Sequence, residues 1–137
     1  MKSVLIVICM LSALLLASSG CGESAPKELS VDASYSGKEA KIAVGGSLTA
    51  TLESNPSTGF SWALVSISDP NVLEEGGHEF EAAQATPERP VVGASGQEVW
   101  TFKALKKGKS TISMEYSQPW EGGTKAAKTF VLTVLVD

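Results

Sequence analysis

The 137-residue chain holds one histidine, His78, and two cysteines, Cys9 and Cys21. Any acid–base or nucleophilic chemistry has to be built from that short supply. His78 lies between Gly77 and Glu79 in a glycine-rich stretch, which reads as a turn with a solvated imidazole. No serine stands in a nucleophile-elbow context, so a Ser-His-Asp arrangement has no support. With one cysteine in the apolar leader and the other at its exit, no Cys-His pair is plausible. No Cys/His cluster has metal-ligand spacing. Glu74, Glu75, Glu79 and Glu81 read as a solvated acidic stretch. The sequence points away from an enzyme and calls for no cofactor and no metal.

Three polar segments suit binding rather than catalysis. Asn55-Pro56-Ser57-Thr58-Gly59-Phe60 combines a proline that fixes φ with a glycine that permits positive φ, which makes a stiff turn. Gly93-Ala94-Ser95-Gly96 has a glycine at each end, where a backbone can come close to another surface. Gln118-Pro119-Trp120, followed by Glu121-Gly122-Gly123, sets a large aromatic at a loop tip. Exposed tryptophan on a rigid loop is a common source of binding energy. Taken singly, the first segment is also readable as a well-made turn, the second means little, and Trp120 is readable as a cap on the end of the fold.

The elements that must position these loops are strands. Alternation places Leu48, Ala50 and Leu52 on one face, as it does Phe60, Trp62 and Leu64. Trp100 and Phe102 pair in the same way, as do Ile112, Met114 and Tyr116. Period-two alternation is the mark of a half-buried strand. Thr129 to Val136 is nearly all apolar and reads as a central, well-buried strand. Gly45-Gly46, Lys107-Gly108 and Gly122-Gly123 break the runs. Phe80 to Pro90 interrupts the pattern and reads as a long loop. Many short strands without helical periods predict an all-β, immunoglobulin-like β-sandwich, held by packing and without a disulfide.

The first residues read as an address. Lys2 precedes an apolar run from Val4 to Ala17 that only Ser12 interrupts, and small residues lead to Cys21. That is the layout of a secretory signal peptide, and the run is short for a bilayer span. Ser18-Ser19-Gly20-Cys21 resembles a loose bacterial lipobox, with Ser18 where leucine is usual. The expectation is a lipoprotein signal peptide over 1–20, a lipidated Cys21 with a tether over 21–28, and a binding domain over 29–137. Each buried acyl methylene adds about 0.8 kcal/mol of membrane affinity, and two chains hold stably. A cell-envelope, membrane-anchored lipoprotein follows; simple cleavage would instead leave a soluble secreted or periplasmic protein. The formal charge of −4 becomes −5 once Lys2 is removed. A mildly acidic chain without a basic stripe has no electrostatic reason to bind nucleic acid, and a monomer is expected.

Together, Asn55-Pro56-Ser57-Thr58-Gly59, Gly93-Ala94-Ser95-Gly96 and Gln118-Pro119-Trp120 resemble the three ordered motifs of the chagasin family of cysteine-protease inhibitors. Phe60, Trp62 and the Trp100-Thr101-Phe102-Lys103 strand fit the same pattern, which spans about Leu29 to Val136. The resemblance implies an Ig-like sandwich whose loops enter the cleft of papain-like (cathepsin-type) proteases. Thr58 would lie nearest the catalytic cysteine, and Trp120 would pack on an aromatic surface near the catalytic histidine. Asn55 through Phe60, Gly93 through Gly96 and Gln118 through Trp120 would form the protease-binding set. Two residues depart from the family pattern: Ser57 stands for threonine, and Gln118 for arginine, which removes a charge and a bidentate donor. The alternative is an Ig-like envelope lipoprotein whose loops serve adhesion or assembly, since one fold hosts many functions.

Overall fold

A computed structural model describes residues 24–84, 87–88 and 95–137. The leader and Cys21 lie outside the described residues. Eight strands run in chain order: β1 (Glu28–Asp32), β2 (Lys38–Ile42), β3 (Ser47–Ser54), β4 (Ser61–Ile67), β5 (Leu73–Glu81), β6 (Gly96–Ala104), β7 (Gly108–Ser117) and β8 (Lys128–Val136). They form two four-stranded sheets, ordered β1-β3-β6-β5 and β2-β8-β7-β4. β1 runs parallel to β3 and β2 parallel to β8; the other neighbours are antiparallel. The fold is the expected Ig-like β-sandwich.

Alternation explains why these residues make these strands. Leu48, Ala50, Leu52, Phe102, Ile112, Leu132 and Val134 have no exposed surface, while their neighbours along each strand face outward. The inward residues of both sheets meet in one apolar cluster. Trp62, Trp100, Phe102, Tyr116 and Phe130 are its large aromatic members. β8 lies between β2 and β7, as its valine-rich sequence predicts, but only one of its faces is buried. Val131 on the other face is 39% exposed.

Between β1 and β2 the chain crosses from one sheet to the other through a short 3-10 turn, Ala33–Tyr35. Asp32 caps the turn by accepting from the Ser34 N–H at 2.8 Å. The Ser34 hydroxyl and then its N–H hold the Asp32 carboxyl below its usual range. Backbone pairing reaches back past Leu29: Ala43 N–H donates to the Pro26 carbonyl at 2.8 Å, and Ser47 N–H to that of Lys27 at 2.7 Å. The folded unit therefore takes up the last residues assigned to the tether.

β5 corrects the sequence reading. Gly76, Gly77 and His78 lie within a strand that pairs with β6, not in a turn. A bulge between Glu75 and Gly77 shifts the register and breaks the alternation. Phe80 and Glu81 complete this strand, so the long loop begins at Ala82 rather than at Phe80. The four glutamates also belong to β5.

Register fixes which loops share an end. Ser54 pairs with Gly96, Gln97 with Glu81, and Ser61 with Ser117. The connections after β3, β5 and β7 therefore leave from one end of the sandwich. The turns before β3, after β4 and after β6 lie at the other.

Candidate binding loops at one end of the sandwich

The first loop is shaped by its own sequence. Asn55 has an extended backbone, and its side-chain oxygen accepts from the Ser57 N–H at 3.2 Å. Pro56 opens a 3-10 turn, Pro56–Thr58, that needs no donor from its nitrogen. The turn closes on itself. The Asn55 carbonyl accepts from Thr58 N–H at 3.2 Å and from the Thr58 hydroxyl at 2.6 Å. The Pro56 carbonyl accepts from Gly59 N–H at 3.0 Å. Gly59 ends the turn with φ +77°, a conformation that costs side-chain-bearing residues about 1–2 kcal/mol. Pro56, Ser57 and Thr58 stand exposed at the tip.

The base of this loop is anchored from below. Asn55 N–H donates to the Tyr116 hydroxyl at 2.8 Å. Phe60 stacks on the Tyr116 ring with centroids 5.2 Å apart and packs against the core. Phe60 thus belongs to the support of the loop more than to its tip, and the same is true of Asn55.

The second loop lies against the first. A Cβ at Gly59 would overlap the six-membered ring of Trp120, with Cζ3 only 2.7 Å away. The indole therefore lies directly over Gly59, and only glycine leaves room for it. Trp120 is still 50% exposed, so one part of the ring meets the neighbouring loop and another meets solvent. The Gln118 side chain joins the two loops: its Nε2 donates to the Thr58 carbonyl at 3.3 Å, while its Oε1 accepts from Thr124 N–H at 2.9 Å. The Lys125 ammonium donates to the carbonyls of Gln118 and Trp120. The substitution noted in the sequence as a lost charge thus has a structural use. Gln118 turns inward as an amide bridge.

The third segment is described only in part. Gly93 and Ala94 lie outside the described residues, and Ser95 is half-buried. Gly96 is not a loop residue: it is the first residue of β6 and is buried. A Cβ there would overlap the Glu81 carbonyl and meet the Phe80 ring at 2.6 Å. Close backbone approach is therefore its role, but toward β5 of its own chain.

Two residues absent from the sequence reading as partners meet near the loop end, Glu98 beneath the first loop and His78 beside it on the edge strand β5. Glu98 is on the inward face of β6 and only 3% exposed. His78 Nε2 lies 2.9 Å from Glu98 Oε2, and its ring stacks on Trp100 at 3.9 Å. The histidine expected to be solvated is thus engaged on one side while partly exposed on the other. The period-two pattern did carry a signal: Glu98, Trp100 and Phe102 share a face, so a carboxylate there has to point inward. Among the described residues, no group of three or more His, Cys, Asp or Glu side chains is arranged to hold a metal.

Residues 41–134 match the family described as Chagasin family peptidase inhibitor I42. The chain is similar to Amoebiasin-2 of Entamoeba histolytica, with 32% identity over 85 residues, covering 62% of this chain and 66% of that protein. It is similar to Chagasin of Trypanosoma cruzi, with 27% identity over 104 residues, covering 74% of this chain and 92% of that protein. Its fold matches the crystal structure of a cysteine protease inhibitor from Entamoeba histolytica with a TM-score of 0.68 at 23% identity, over 82% of this chain and 99% of that one. With two four-stranded sheets, loops gathered at one end and a family match across most of the sandwich, the chain belongs to the chagasin family of peptidase inhibitors.

Proposed function

We propose that the chain inhibits papain-like cysteine proteases reversibly and without a covalent bond, by filling the active-site cleft with the loop end of the sandwich. The observation that carries this reading is the contact between the first two loops, with the Trp120 indole over Gly59 and the Gln118 amide on the Thr58 carbonyl. Loops already fixed in place lose little entropy on binding, so more of the contact energy is kept. Thr58 would sit nearest the catalytic cysteine, with Ser57 and Pro56 beside it. Trp120 would supply the aromatic anchor. Ser95 and the segment before it would touch the opposite wall.

The same geometry explains how such a loop escapes cleavage. The carbonyls of Asn55 and Pro56 are occupied by hydrogen bonds inside the turn. Attack requires a carbonyl held about 3–3.5 Å from the nucleophile in an aligned geometry. A closed 3-10 turn does not offer one, and Pro56 resists opening into an extended strand.

Export and anchoring belong to the same proposal. A diacylated Cys21 would hold the inhibitor at the cell-envelope membrane, where it would meet proteases released into or entering that space. Only a few residues separate Cys21 from the backbone pairing at Pro26, so the domain would stand close to the membrane. Mass spectrometry of the mature N-terminus tests this: a lipid-modified Cys21 supports it, and an unmodified N-terminus before or after Cys21 overturns it. Inhibition itself is tested by titrating papain or cathepsin L with the chain from Cys21 onward. Saturable, reversible inhibition supports the reading. A folded chain that inhibits none of several papain-like enzymes favours the adhesion or assembly reading of the same loops.

A further inference from the structure

The geometry points to Glu98 as the positioning residue of the first loop, a carboxylate that clamps both ends of Asn55–Phe60 and so sets the aim of Thr58; this rests on the proposed inhibitory role of that loop. The loop leaves β3 at Ser54 and enters β4 just before Trp62. One oxygen of Glu98 holds both of these residues. Its Oε1 accepts from the Ser54 hydroxyl at 2.7 Å and from Trp62 N–H at 3.0 Å. Ser54 belongs to one sheet and Trp62 to the other. The carboxylate therefore bridges the two layers directly beneath the loop. The second oxygen faces His78, whose Nε2 is 2.9 Å away and whose ring is braced by the Trp100 stack.

A carboxylate that is 3% exposed is costly to bury unless its oxygens are satisfied. Here the Ser54 hydroxyl, the Trp62 N–H and the His78 ring nitrogen converge on it from three strands. An apolar residue would fill the inward slot of β6 at lower desolvation cost, as Trp100 and Phe102 do two and four residues later. What an apolar residue cannot do is hold two chain ends at a fixed spacing through directional bonds. The Trp62 indole adds a parallel tie, its Nε1–H donating to the Glu53 carbonyl at 3.0 Å, next to Ser54. The ends of the loop are thus bolted together twice, and Glu98 is the bolt that reaches the backbone of β4.

The test compares Glu98→Leu with Glu98→Gln in the full exported chain. Leucine leaves the Ser54 hydroxyl and the Trp62 N–H without their acceptor; glutamine keeps an acceptor for both. Glu98→Leu is expected to weaken inhibition by about tenfold or more and Glu98→Gln by no more than about threefold. In the free protein, the amide resonances of 55 and 57–59 should shift in Glu98→Leu and return towards their wild-type positions in Glu98→Gln, while those of 44–46 and 105–108 stay. Ile112→Val, a core change away from the loop, should lower stability and leave both readouts alone. Should Glu98→Leu fail to fold, Ser54→Ala removes a single donor and is expected to cost about threefold in inhibition with smaller shifts in the same amides. Loop amides and an inhibition constant that do not change in folded Glu98→Leu, or in Ser54→Ala where the former cannot be made, would overturn the assignment. If the wild-type chain inhibits no papain-like protease, the inhibitory reading fails, and the amide shifts of the free protein still decide whether Glu98 positions the loop.

Discussion

The two ends of the sandwich are built from the same kinds of residue and held in different ways. At the closed end most ties run backbone to backbone. Gly45 N–H reaches the Ala104 carbonyl at 2.9 Å, Ala104 N–H the Gly46 carbonyl at 3.0 Å, and Leu105 N–H the Val72 carbonyl at 2.8 Å. The side-chain ties there are local to the turn after β4, where the Ser110 and Ser68 hydroxyls accept from Asp69 and Thr111 N–H and the Asp69 carboxyl accepts from Asn71 N–H. At the loop end, many of the ties run through side chains: Tyr116 to Asn55, Gln118 to Thr58 and Thr124, Lys125 to Gln118 and Trp120, and Ser117 to Ala126. Backbone ties depend little on sequence and draw the chain tight. Side-chain ties are longer, so they can hold a loop away from the sheets and leave an aromatic ring half in solvent. The difference teaches that the protruding end owes its rigidity to particular side chains, and that single substitutions should separate its shape from the stability of the fold.

The largest effect is expected from one glycine compared with another. Gly59 and Gly45 both have φ +77°. A Cβ at Gly45 meets nothing within 4 Å, whereas at Gly59 it overlaps the Trp120 ring. Gly45→Ala should therefore cost stability alone, about 1 kcal/mol from the left-handed backbone. Gly59→Ala should carry a similar strain and also expel the indole, weakening inhibition by about 3 kcal/mol. Thermal melts and inhibition constants of the two variants check this. Equal inhibition by both would remove the Trp120–Gly59 contact from the mechanism.

Trp120→Ala comes next. Half of the ring is exposed, so the melting temperature should hardly move. Affinity should fall by about 2 kcal/mol, the loss typical of an aromatic anchor. A change in affinity of only a few tenths of a kcal/mol would take Trp120 out of the binding surface.

Gln118→Glu is a smaller and sharper probe, because it keeps the shape and the acceptor for Thr124 N–H while removing the donor to the Thr58 carbonyl. It also sets a carboxylate oxygen against that carbonyl. We expect a loss of about 1 kcal/mol in affinity, carried mainly by a slower association rate as the two loops lose their common frame. Stopped-flow association with papain gives the rate. An association rate equal to wild type would show that the loops hold their relation without the amide bridge.

How much of this could be read from the sequence follows from the same contrast. The alternation of Leu48-Ala50-Leu52 and of Ile112-Met114-Tyr116 is a local signal, and the buried faces of β3 and β7 follow from it. β5 was hidden because its bulge falls on two glycines, which by composition read as a turn. β1 and β2 are five-residue edge strands, too short to show a period. The loop tips were legible because proline, glycine and tryptophan act through their own geometry. Their supports were not, because Glu98 lies 44 residues from Ser54 and Gln118 lies 60 from Thr58. Nothing local announces such pairs. The inward phase of Glu98 was the one accessible hint.

The smallest expected effect is at the hinge behind the second loop. Ala126 has φ +48°, the one non-glycine residue with positive φ among the described residues. Its N–H donates to the Ser117 hydroxyl at 2.8 Å, and Lys125 beside it reaches the two loop carbonyls. The strained residue thus sits where the chain turns back to β8 after presenting Trp120. Ala126→Gly removes the steric cost of the left-handed backbone but adds freedom to the unfolded chain, so the net gain in stability should be small, about 0.5 kcal/mol. If the strain serves only to close the loop, inhibition should be unchanged. If it also presses Lys125 onto the Gln118 and Trp120 carbonyls, the relaxed variant should dissociate faster from papain despite its higher melting temperature. A paired measurement of melting temperature and dissociation rate distinguishes these outcomes. A higher melting temperature combined with faster release would mean that the loop end gives up a little stability to keep its shape.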